Sequence, residues 1–238
     1  MTAEQSQRAY YARTAAAYDA WHPSDEPANM VALGWVSALI RGLQLQSVLD
    51  VGSGTGRALR GLLADNPSLH IRGLEPVPEL IEKAVQAGIA NGVIVCGAGE
   101  HIPFPDKSFD AVCEFATLHH VPEPSVIISE MLRVARRAVF LSDANRFGQG
   151  NAFKRIVKLT AFSAGLGSWY RAAQTRGRGY LESELDGTFY SYSVYDSYAA
   201  LASWSDRVVA VPTGSLGPLG RFGPILSSPH VLLCALKA

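Results

Sequence analysis

The sequence VLDVGSGTG, from Val48 to Gly56, combines an acid with closely spaced glycines directly after an apolar run. Such a run is typical of a buried strand that turns sharply into a helix and leaves bare backbone for a ligand. A dinucleotide site would need the pattern GxGxxG, but here the glycines form GxGxG, and Arg57 stands where the third glycine would pack. A Walker loop would end in Gly-Lys-Ser or Gly-Lys-Thr, and neither follows. The spacing therefore disfavours both phosphate-binding loops.

Two carboxylates are placed to meet a ligand on this loop. Asp50 precedes the glycines, a position that would repel a pyrophosphate but suits an amine or a sulfonium. Glu75 follows Gly56 by 19 residues, at the end of the next predicted strand, where a carboxylate can accept both hydroxyls of a ribose. The alternative role for Glu75 is that of a helix-start acid ahead of Pro76. The two acids predict a positively charged nucleoside as the ligand.

Two adjacent histidines, His119 and His120, follow the fourth predicted strand at the same edge of the sheet. A histidine with a pKa near neutrality can take the proton from an attacking hydroxyl, so His119 is the first candidate for a general base and His120 the second. Asp143 ends the fifth predicted strand and is placed to orient the histidine or a substrate hydroxyl. A histidine pair in a surface turn and a capping role for Asp143 both remain open.

The elements that must position these residues alternate between short apolar runs and longer stretches of helical period, as in a doubly wound parallel sheet. We predict an α/β, Rossmann-like fold with seven strands, the last antiparallel and forming a hairpin with the sixth. The predicted strands are 47–51, 70–74, 92–96, 109–115, 138–142, 207–212 and 230–236, and the predicted core helices are 57–64, 78–87 and 124–135.

The segments outside this core predict a lid and a cap on one domain of 238 residues. Helices over 5–21 and 28–42 are expected to form an N-terminal lid, residues 1–43. The first helix carries an aromatic stripe that fits core packing or closure over the glycine loop and consists of Tyr10, Tyr11, Tyr18 and Trp21. The ligand-binding core is 44–145. Residues 146–192 are an inserted cap, because the gap between the fifth and sixth strands is far longer than a crossover helix. The final helix and strand hairpin occupy 193–238.

The cap mixes basic and aromatic residues. Its composition fits either a solvated basic face or a site for an aromatic or acidic small molecule. The residues are Lys154, Arg155, Lys158, Arg171, Arg176 and Arg178 together with Trp169, Tyr170, Tyr180, Phe189, Tyr190 and Tyr192.

Four motifs occur in a consistent order over roughly residues 18–145. They are VLDVGSGTG, RGLEPVPELIEKA, GEHIPFPDKSFDAV, and EFATLHHVPEP followed by ISEMLRVAR. Together they resemble the class I S-adenosylmethionine-dependent methyltransferases, in their small-molecule branch. The resemblance implies that Asp50 engages the methionine amine, Gly52 and Gly54 expose backbone to the amino-acid part, and Glu75 holds the ribose of S-adenosylmethionine.

The same resemblance implies further cofactor contacts. Gly99 and Glu100 would lie along the adenine, while Glu114 and Phe115 would flank the methionine tail. The implied cofactor site is completed by Tyr18 on the lid, Ser53, Pro76 and Ala98. The family often has an aspartate for the adenine amine where this chain has Ala98, so adenine recognition rests more on backbone groups or on Glu100.

The implied reaction is methyl transfer from S-adenosylmethionine to a small-molecule acceptor, and we expect a hydroxyl of a sugar or secondary metabolite, with a histidine base. The alternatives are a C- or N-methyltransferase that acts by proximity and a non-catalytic regulator that binds S-adenosylmethionine. A nucleic-acid base is disfavoured as acceptor because Glu114 to Thr117 stand where such enzymes carry an Asn-Pro-Pro-Tyr motif. No metal is expected, since Glu114, Asp143 and Asn145 would supply a magnesium site only loosely.

Composition narrows the partners and the compartment. The chain has 21 Lys and Arg residues and 21 Asp and Glu residues, so no net field attracts nucleic acid or an anionic membrane, and we expect neither as a partner. The three cysteines form no CxxC pair, which fits buried thiols rather than a zinc site or a disulfide scaffold. Without a signal peptide or a spanning segment, a cytoplasmic location is expected. The oligomeric state is left open.

Overall fold

A computed structural model describes residues 3–21, 27–175, 177–183, 187–215 and 223–237. Its central sheet has seven strands in the order β3-β2-β1-β4-β5-β9-β8. These strands are β1 Ser47–Val51, β2 His70–Glu75, β3 Ile94–Cys96, β4 Phe109–Phe115, β5 Ala135–Ala144, β8 Arg207–Pro212 and β9 His230–Leu236. Strands β1 to β5 are parallel, and β9 runs antiparallel between β5 and β8. The predicted Rossmann-like sheet, with its last strand antiparallel, is confirmed.

Helices cover both faces of the sheet. They are α1 Ala3–Thr14, α2 Tyr18–Trp21, α3 Pro27–Gly42, α4 Arg57–Asp65, α5 Pro78–Gln86, α6 Pro124–Val134, α7 Ala152–Ser163, α8 Gly167–Gln174, α9 Tyr198–Trp204 and α10 Pro224–Ser227. Buried side chains of α3 and α4 pack on one face with Val48, while those of α6 and α9 pack on the other with Leu49. Both faces of β1 are therefore buried, as a continuous apolar run predicts for a parallel strand.

Several predicted boundaries were wrong. The predicted helix over 5–21 is divided into α1, a 3-10 turn at Ala15–Ala17, and α2. Strand β3 starts at Ile94 rather than at 92, because Gly92 has a φ of 81°, which an extended strand does not allow. Helix α6 ends at Val134, and β5 begins directly at Ala135, three residues before the predicted start, so no loop separates the two elements.

The segment between β5 and α9 has its own structure. It contains α7 and α8, followed by a two-stranded antiparallel sheet of β6 Tyr180–Ser183 and β7 Gly187–Tyr190. Helix α1 and the 3-10 turn Leu118–His120 both contact β7. Within the part of the chain that the structure describes, no helix is both long and apolar enough to cross a membrane.

Phe140, in β5, tests the packing of the core because its side chain is completely buried. We expect Phe140→Ala to lower the free energy of unfolding by about 3–5 kcal/mol, through lost burial and the cavity left behind. Urea titration followed by circular dichroism measures this change. The matched control is Phe153→Ala, since Phe153 is 76% exposed and its loss should leave the unfolding midpoint nearly unchanged. Equal effects of the two substitutions would show that the central strand has been misassigned.

Candidate functional site

The turn after β1 is built for close approach of its backbone to a ligand. Gly52 has a φ of 75°, and a Cβ there would lie 2.4 Å from side-chain atoms of Thr117, so only glycine fits. Gly54 has a φ of 51° and faces Tyr18, whose hydroxyl oxygen is the nearest atom, 3.8 Å from where a Cβ would be. Across the turn, Ala116 has a φ of 57°, a region that residues with a Cβ rarely occupy. This conformation directs the chain after β4 towards the glycine turn.

Glu75 joins the end of β2 to the glycine turn. One carboxylate oxygen accepts the backbone N–H of Gly54 at 2.9 Å, and the other accepts that of Val77 at 3.0 Å. Burial raises the pKa of Glu75 to about 7, although these two amides and the more distant Arg8 act in the opposite direction. The carboxylate is thus held rigidly but lacks a close cationic partner among the groups that shift its pKa.

Asp50 is a second buried carboxylate at this edge. Burial raises its pKa to about 7, the Cys113 thiol at 3.7 Å opposes the rise, and the charge of Glu75 adds to it. Two neighbouring acids with raised pKa values favour a ligand that brings positive charge and disfavour one that brings phosphate. The expectation from the sequence that a cation binds here is consistent with this electrostatic environment.

The N-terminal helices lie over the glycine turn. Asp19 accepts a hydrogen bond from the Thr55 hydroxyl at 2.7 Å and lies 3.8 Å from Arg57. Arg57 in turn lies 5.4 Å from the centre of the Tyr18 ring, which contacts Tyr11 edge to face. The aromatic stripe therefore closes over the loop instead of packing only into the core.

Two cavities lie in this region, and Tyr18 is among the residues that line both. The larger part of the predicted cofactor set lines the first, here called the lid cleft. These residues are Tyr18, Gly52, Gly54, Glu75, Pro76, Gly99, Glu100 and Phe115. Asp50 and Ser53 line the second, the side cavity, which shares Tyr18, Gly52, Gly54 and Phe115 with the first. Ala98 and Glu114 line neither cavity.

Several residues of the lid cleft were missed from the sequence. Gln7, Arg8 and Tyr11 come from α1, and Thr117 comes from the turn after β4. Arg8 reaches Glu100 at 3.9 Å across the cleft. The aromatic stripe was the signal for Tyr11, whereas nothing in the local pattern of Gln7 or Thr117 distinguishes them from surface residues.

His119 and Asp143 form a close pair. The Nδ1 atom of His119 lies 2.7 Å from Oδ1 of Asp143, while Oδ2 accepts the backbone N–H groups of Leu118 and His119 at 2.9 and 3.2 Å. Burial alone would raise the pKa of Asp143, but His119, His230 and the Ala144 N–H hold it below its ordinary value. Asp143 therefore stays ionised and fixes the orientation of the His119 ring.

His120 has a different environment. Its Nδ1 lies 2.8 Å from the carbonyl oxygen of Thr188 in β7, and its Nε2 lies 3.0 Å from the hydroxyl of Tyr11. A proton on Nδ1 satisfies both contacts, because Nδ1 then donates to the carbonyl and Nε2 accepts from the hydroxyl. Gln7 accepts the Thr188 N–H at 2.7 Å. His120 thus ties the lid helix to the hairpin of the cap.

Glu114 is completely buried beneath these histidines. One carboxylate oxygen accepts the Thr117 N–H at 3.1 Å, and the other has no hydrogen-bond partner. Burial and the nearby charge of Asp143 raise the pKa of Glu114 well above its usual range. Of these two neighbouring acids, Asp143 carries the charge and Glu114 holds a proton.

A third cavity, the cap cavity, lies beneath the inserted segment. His119 lines it from the core, Lys158 from α7, Tyr170 from α8, and Tyr190 from β7. His120 lines the lid cleft, and the two histidine rings are 4.1 Å apart between their centres. The histidine pair therefore stands at the boundary between the two cavities.

Among the described residues, no group of three or more histidine, cysteine or acidic side chains is arranged to hold a metal ion. Of the three cysteines, Cys113 and Cys234 are buried, whereas Cys96 is exposed, contrary to the expectation that all three are buried. Cys96 ends the short strand β3, next to the edge of the sheet.

Comparisons with known proteins agree with this geometry. Residues 49–141 match the family model described as a methyltransferase domain. An uncharacterised methyltransferase of Mycobacterium tuberculosis is 32% identical over 120 residues, which are 50% of this chain and 45% of that protein. A chloroplastic 2-methyl-6-phytyl-1,4-hydroquinone methyltransferase of Oryza sativa is 33% identical over 90 residues, 37% of this chain and 27% of the relative. The matches thus cover less than half of either relative.

A solved structure extends the likeness to the whole fold. The magnesium protoporphyrin IX methyltransferase of Synechocystis, solved with bound S-adenosylmethionine, aligns with a TM-score of 0.61 and 16% identity over 100% of this chain and 98% of that one. The chain therefore matches a methyltransferase domain over residues 49–141 and has the fold of the Synechocystis enzyme. The Synechocystis structure contains S-adenosylmethionine, the cofactor that the motifs of this chain predict.

The buried acids of this site fit that cofactor. S-adenosylmethionine carries a sulfonium and an amine, and the site offers Asp50 and Glu75, whose pKa values burial raises to about 7 although hydrogen bonds and, at Glu75, the charge of Arg8 act in the opposite direction. The Ser53 hydroxyl, on the wall of the side cavity, has no hydrogen-bond partner among the described residues. It is a polar group that a charged nucleoside would satisfy.

The raised pKa values of Asp50 and Glu75 make cofactor binding depend on pH. Both acids are mostly protonated below about pH 6 and ionise through about pH 7. We therefore expect the affinity for S-adenosylmethionine to increase from about pH 5 to about pH 8, with protons released on binding. Isothermal titration calorimetry in buffers of different ionisation enthalpy measures both quantities. Asp50→Asn should flatten the curve, and an affinity that decreases over this range would contradict the assignment.

Proposed function

We propose that this methyltransferase transfers a methyl group from S-adenosylmethionine to a hydroxyl of a small molecule, such as a sugar or a secondary metabolite. The observation that carries the proposal is the His119–Asp143 pair, at 2.7 Å, on the wall of the cap cavity. A neutral imidazole whose Nδ1–H is held by a carboxylate presents Nε2 as a proton acceptor. A hydroxyl acceptor needs such a base more than a thiol or an amine does.

The cofactor contacts proposed for the core follow from burial and charge. Glu75 accepts the ribose hydroxyls, and Asp50 meets the methionine amine, directly or through water, from the side cavity. Backbone at the glycine turn contacts the amino-acid part. The other proposed cofactor residues are Tyr18, Gly52, Ser53, Gly54, Pro76, Ala98, Gly99, Glu100, Glu114 and Phe115. Because Glu114 and Ala98 line neither cavity, we assign them indirect roles, through the Thr117 turn and through backbone before Gly99.

When bound, S-adenosylmethionine supplies a methyl group on a positively charged sulfur. The protein's own part is to align the cofactor with the acceptor and to move one proton. His119 takes the proton from the acceptor hydroxyl on Nε2, and the ionised Asp143 stabilises the imidazolium that results. His120, whose two ring nitrogens contact Thr188 and Tyr11, positions the lid and the cap. The base therefore is His119, and His120 is a positioning residue.

The composition of the cap cavity supports a small aromatic or anionic acceptor. Tyr170, Phe189 and Tyr190 line it, and Lys158 brings its ammonium group to the same wall. Lys158 donates to the carbonyl oxygens of Arg146 and Gln149 at 2.6 and 2.9 Å, which fixes its position. A phenol, or a hydroxylated acid, would meet both the ring faces and the positive charge.

A second candidate is methylation at a ring carbon of a hydroxylated aromatic compound. It is supported by the relative from Oryza sativa, whose name gives a hydroquinone as its substrate. The same His119–Asp143 pair would deprotonate a phenol and so increase the electron density of the ring. Mass spectrometry with fragmentation of the product distinguishes an O-methyl group from a C-methyl group.

The proposed partner is a small molecule, with no role for nucleic acid, since neither a net positive charge nor the motif of the nucleic-acid enzymes is present. We also propose action in the cytoplasm and a single-domain arrangement with the parts 1–43, 44–145, 146–192 and 193–238. The mixed polar and aromatic composition of the cap cavity supports a place in secondary metabolism.

Glu75→Gln tests the cofactor site. We expect it to weaken S-adenosylmethionine binding by about 1–3 kcal/mol, because an amide cannot match the charge and would place a donor against a backbone N–H. Calorimetric titration measures the change. Glu79→Gln is the matched control, since Glu79 is exposed in the first turn of α5. Unchanged affinity in the Glu75 variant would show that β2 does not end at the cofactor.

His119→Ala tests the base. We expect kcat/KM to decrease by roughly 10²–10⁴-fold with unchanged cofactor affinity, and the dependence of kcat/KM on a neutral pKa to disappear. The assay follows methyl release over a panel of hydroxylated sugars, phenols and acids. His101→Ala, at an exposed position, should be fully active.

Three outcomes would decide between the alternatives. Full activity of His119→Ala would support transfer by proximity to a carbon or nitrogen acceptor. Tight cofactor binding without methyl release on any acceptor would support the regulator. A loss of cofactor affinity together with activity would show that His119 acts on the structure of the site and not on the proton.

A further inference from the structure

The balanced net charge of the chain conceals a strong local imbalance. Residues 144–181 contain seven of the 21 Lys and Arg residues and none of the 21 Asp and Glu residues. This span includes α7 and α8, so the cap is positively charged while the rest of the chain is negatively charged. The expectation that no anionic surface would bind was drawn from the total alone.

Helix α7 is amphipathic, but its charged face points towards the protein and its apolar face towards the solvent. Its charged residues Arg155 and Lys158 point inward, and Arg155 donates to the carbonyl oxygens of Gly150 and Leu226, both at 2.8 Å. Phe153, Ile156 and Val157, which share one face at helical spacing, are exposed to solvent instead. A surface helix normally buries its apolar stripe, so this face is shaped for contact with an apolar environment.

The exposed apolar face continues into the next helix. Leu166 precedes α8 and Trp169 lies in its first turn, where its side chain is 69% exposed. Phe162 and Tyr170 pack edge to face and hold the two helices together. Exposed apolar side chains thus continue from α7 into the start of α8, and we call Phe153, Ile156, Val157, Leu166 and Trp169 the cap patch.

Exposed cations accompany the cap patch. Lys154 lies beside Phe153 in α7, Arg178 follows α8 in the next loop, and both residues are exposed. Aromatic and aliphatic side chains next to Lys and Arg, without acids, are the composition of helices that lie in the interface of an anionic bilayer.

We propose that the cap patch binds the surface of an anionic lipid membrane. The apolar side chains would enter the headgroup region, and Lys154 and Arg178 would meet lipid phosphates. A second copy of the chain is a less suitable partner for the cap patch, because the cations of the two facing patches would repel each other. Nucleic acid would use the cations but would leave Phe153, Ile156 and Trp169 without an apolar partner.

This orientation would bring the cap cavity close to the bilayer. Lys158 and Tyr170 line that cavity from the inner sides of α7 and α8, so one pair of helices separates it from the proposed membrane face. The inference does not depend on the identity of the acceptor or on the proposed base.

The experiment is co-sedimentation of the full chain with large unilamellar vesicles of phosphatidylcholine alone or of phosphatidylcholine mixed with phosphatidylglycerol. We expect binding to the anionic vesicles that is at least about tenfold stronger than to the neutral ones and that decreases with added salt. The double variant Phe153→Ser with Trp169→Ser should lose about tenfold or more of this binding. Lys154→Glu with Arg178→Glu should do the same and should remove the salt dependence.

Trp35→Ser is the matched control, because Trp35 is also exposed, at 49%, but lies on α3, away from the cap. It should bind vesicles as the wild type does, and all variants should keep their unfolding midpoint and cofactor affinity. No binding to anionic vesicles at low salt, or equal losses in Trp35→Ser and the double variant, would overturn the proposal. So would self-association of the wild type that the double variant abolishes, since a second copy would then cover the cap patch.

Discussion

Four carboxylates buried at one edge of the sheet are the constraint on which the rest of the site depends. Glu75, Asp50, Glu114 and Asp143 end the neighbouring strands β2, β1, β4 and β5, and each is almost completely shielded from solvent. A buried carboxylate is costly unless it is paired, hydrogen-bonded or protonated. The structure uses all three solutions: an imidazole beside Asp143, backbone amides on Glu75, and a proton on Glu114. The proposed cationic ligand would complete the partial solution at Asp50 and Glu75.

The sequence predicted this arrangement well where it depends on local pattern. The apolar run before Asp50 and the spacing to Glu75 placed both acids correctly at strand ends, and all seven predicted strands lie within about three residues of their observed bounds. The pairing of His119 with Asp143 was also anticipated from the position of each after its strand. Such inferences succeed because the carboxyl ends of neighbouring parallel strands must meet at one edge.

The sequence could not predict contacts that depend on how distant segments pack. Nothing near His120 indicates that its two nitrogens meet Tyr11 and Thr188, which lie 109 and 68 residues away. The sequence placed His119 ahead of His120 as the candidate base, but it could not show that the two residues face different cavities. The cap shows the same limit. The helical period of α7 predicts an apolar stripe, but it does not show whether the stripe faces the protein core or the solvent. Only the carbonyl groups that bind Arg155 and Lys158 decide that the cations turn inward.

The hydrogen bonds between the lid helix and the cap hairpin affect the rate of turnover. Helix α1 holds the backbone of Thr188 through Gln7, and it holds His120 through Tyr11, while His120 binds the Thr188 carbonyl oxygen. The helix cannot leave the cleft without also releasing the hairpin. One opening motion would then release the demethylated cofactor and open the cap cavity at the same time. Neither the cofactor nor the acceptor could then exchange faster than this motion occurs. The rate of this opening motion would be the upper limit of kcat, however fast the chemistry itself proceeds.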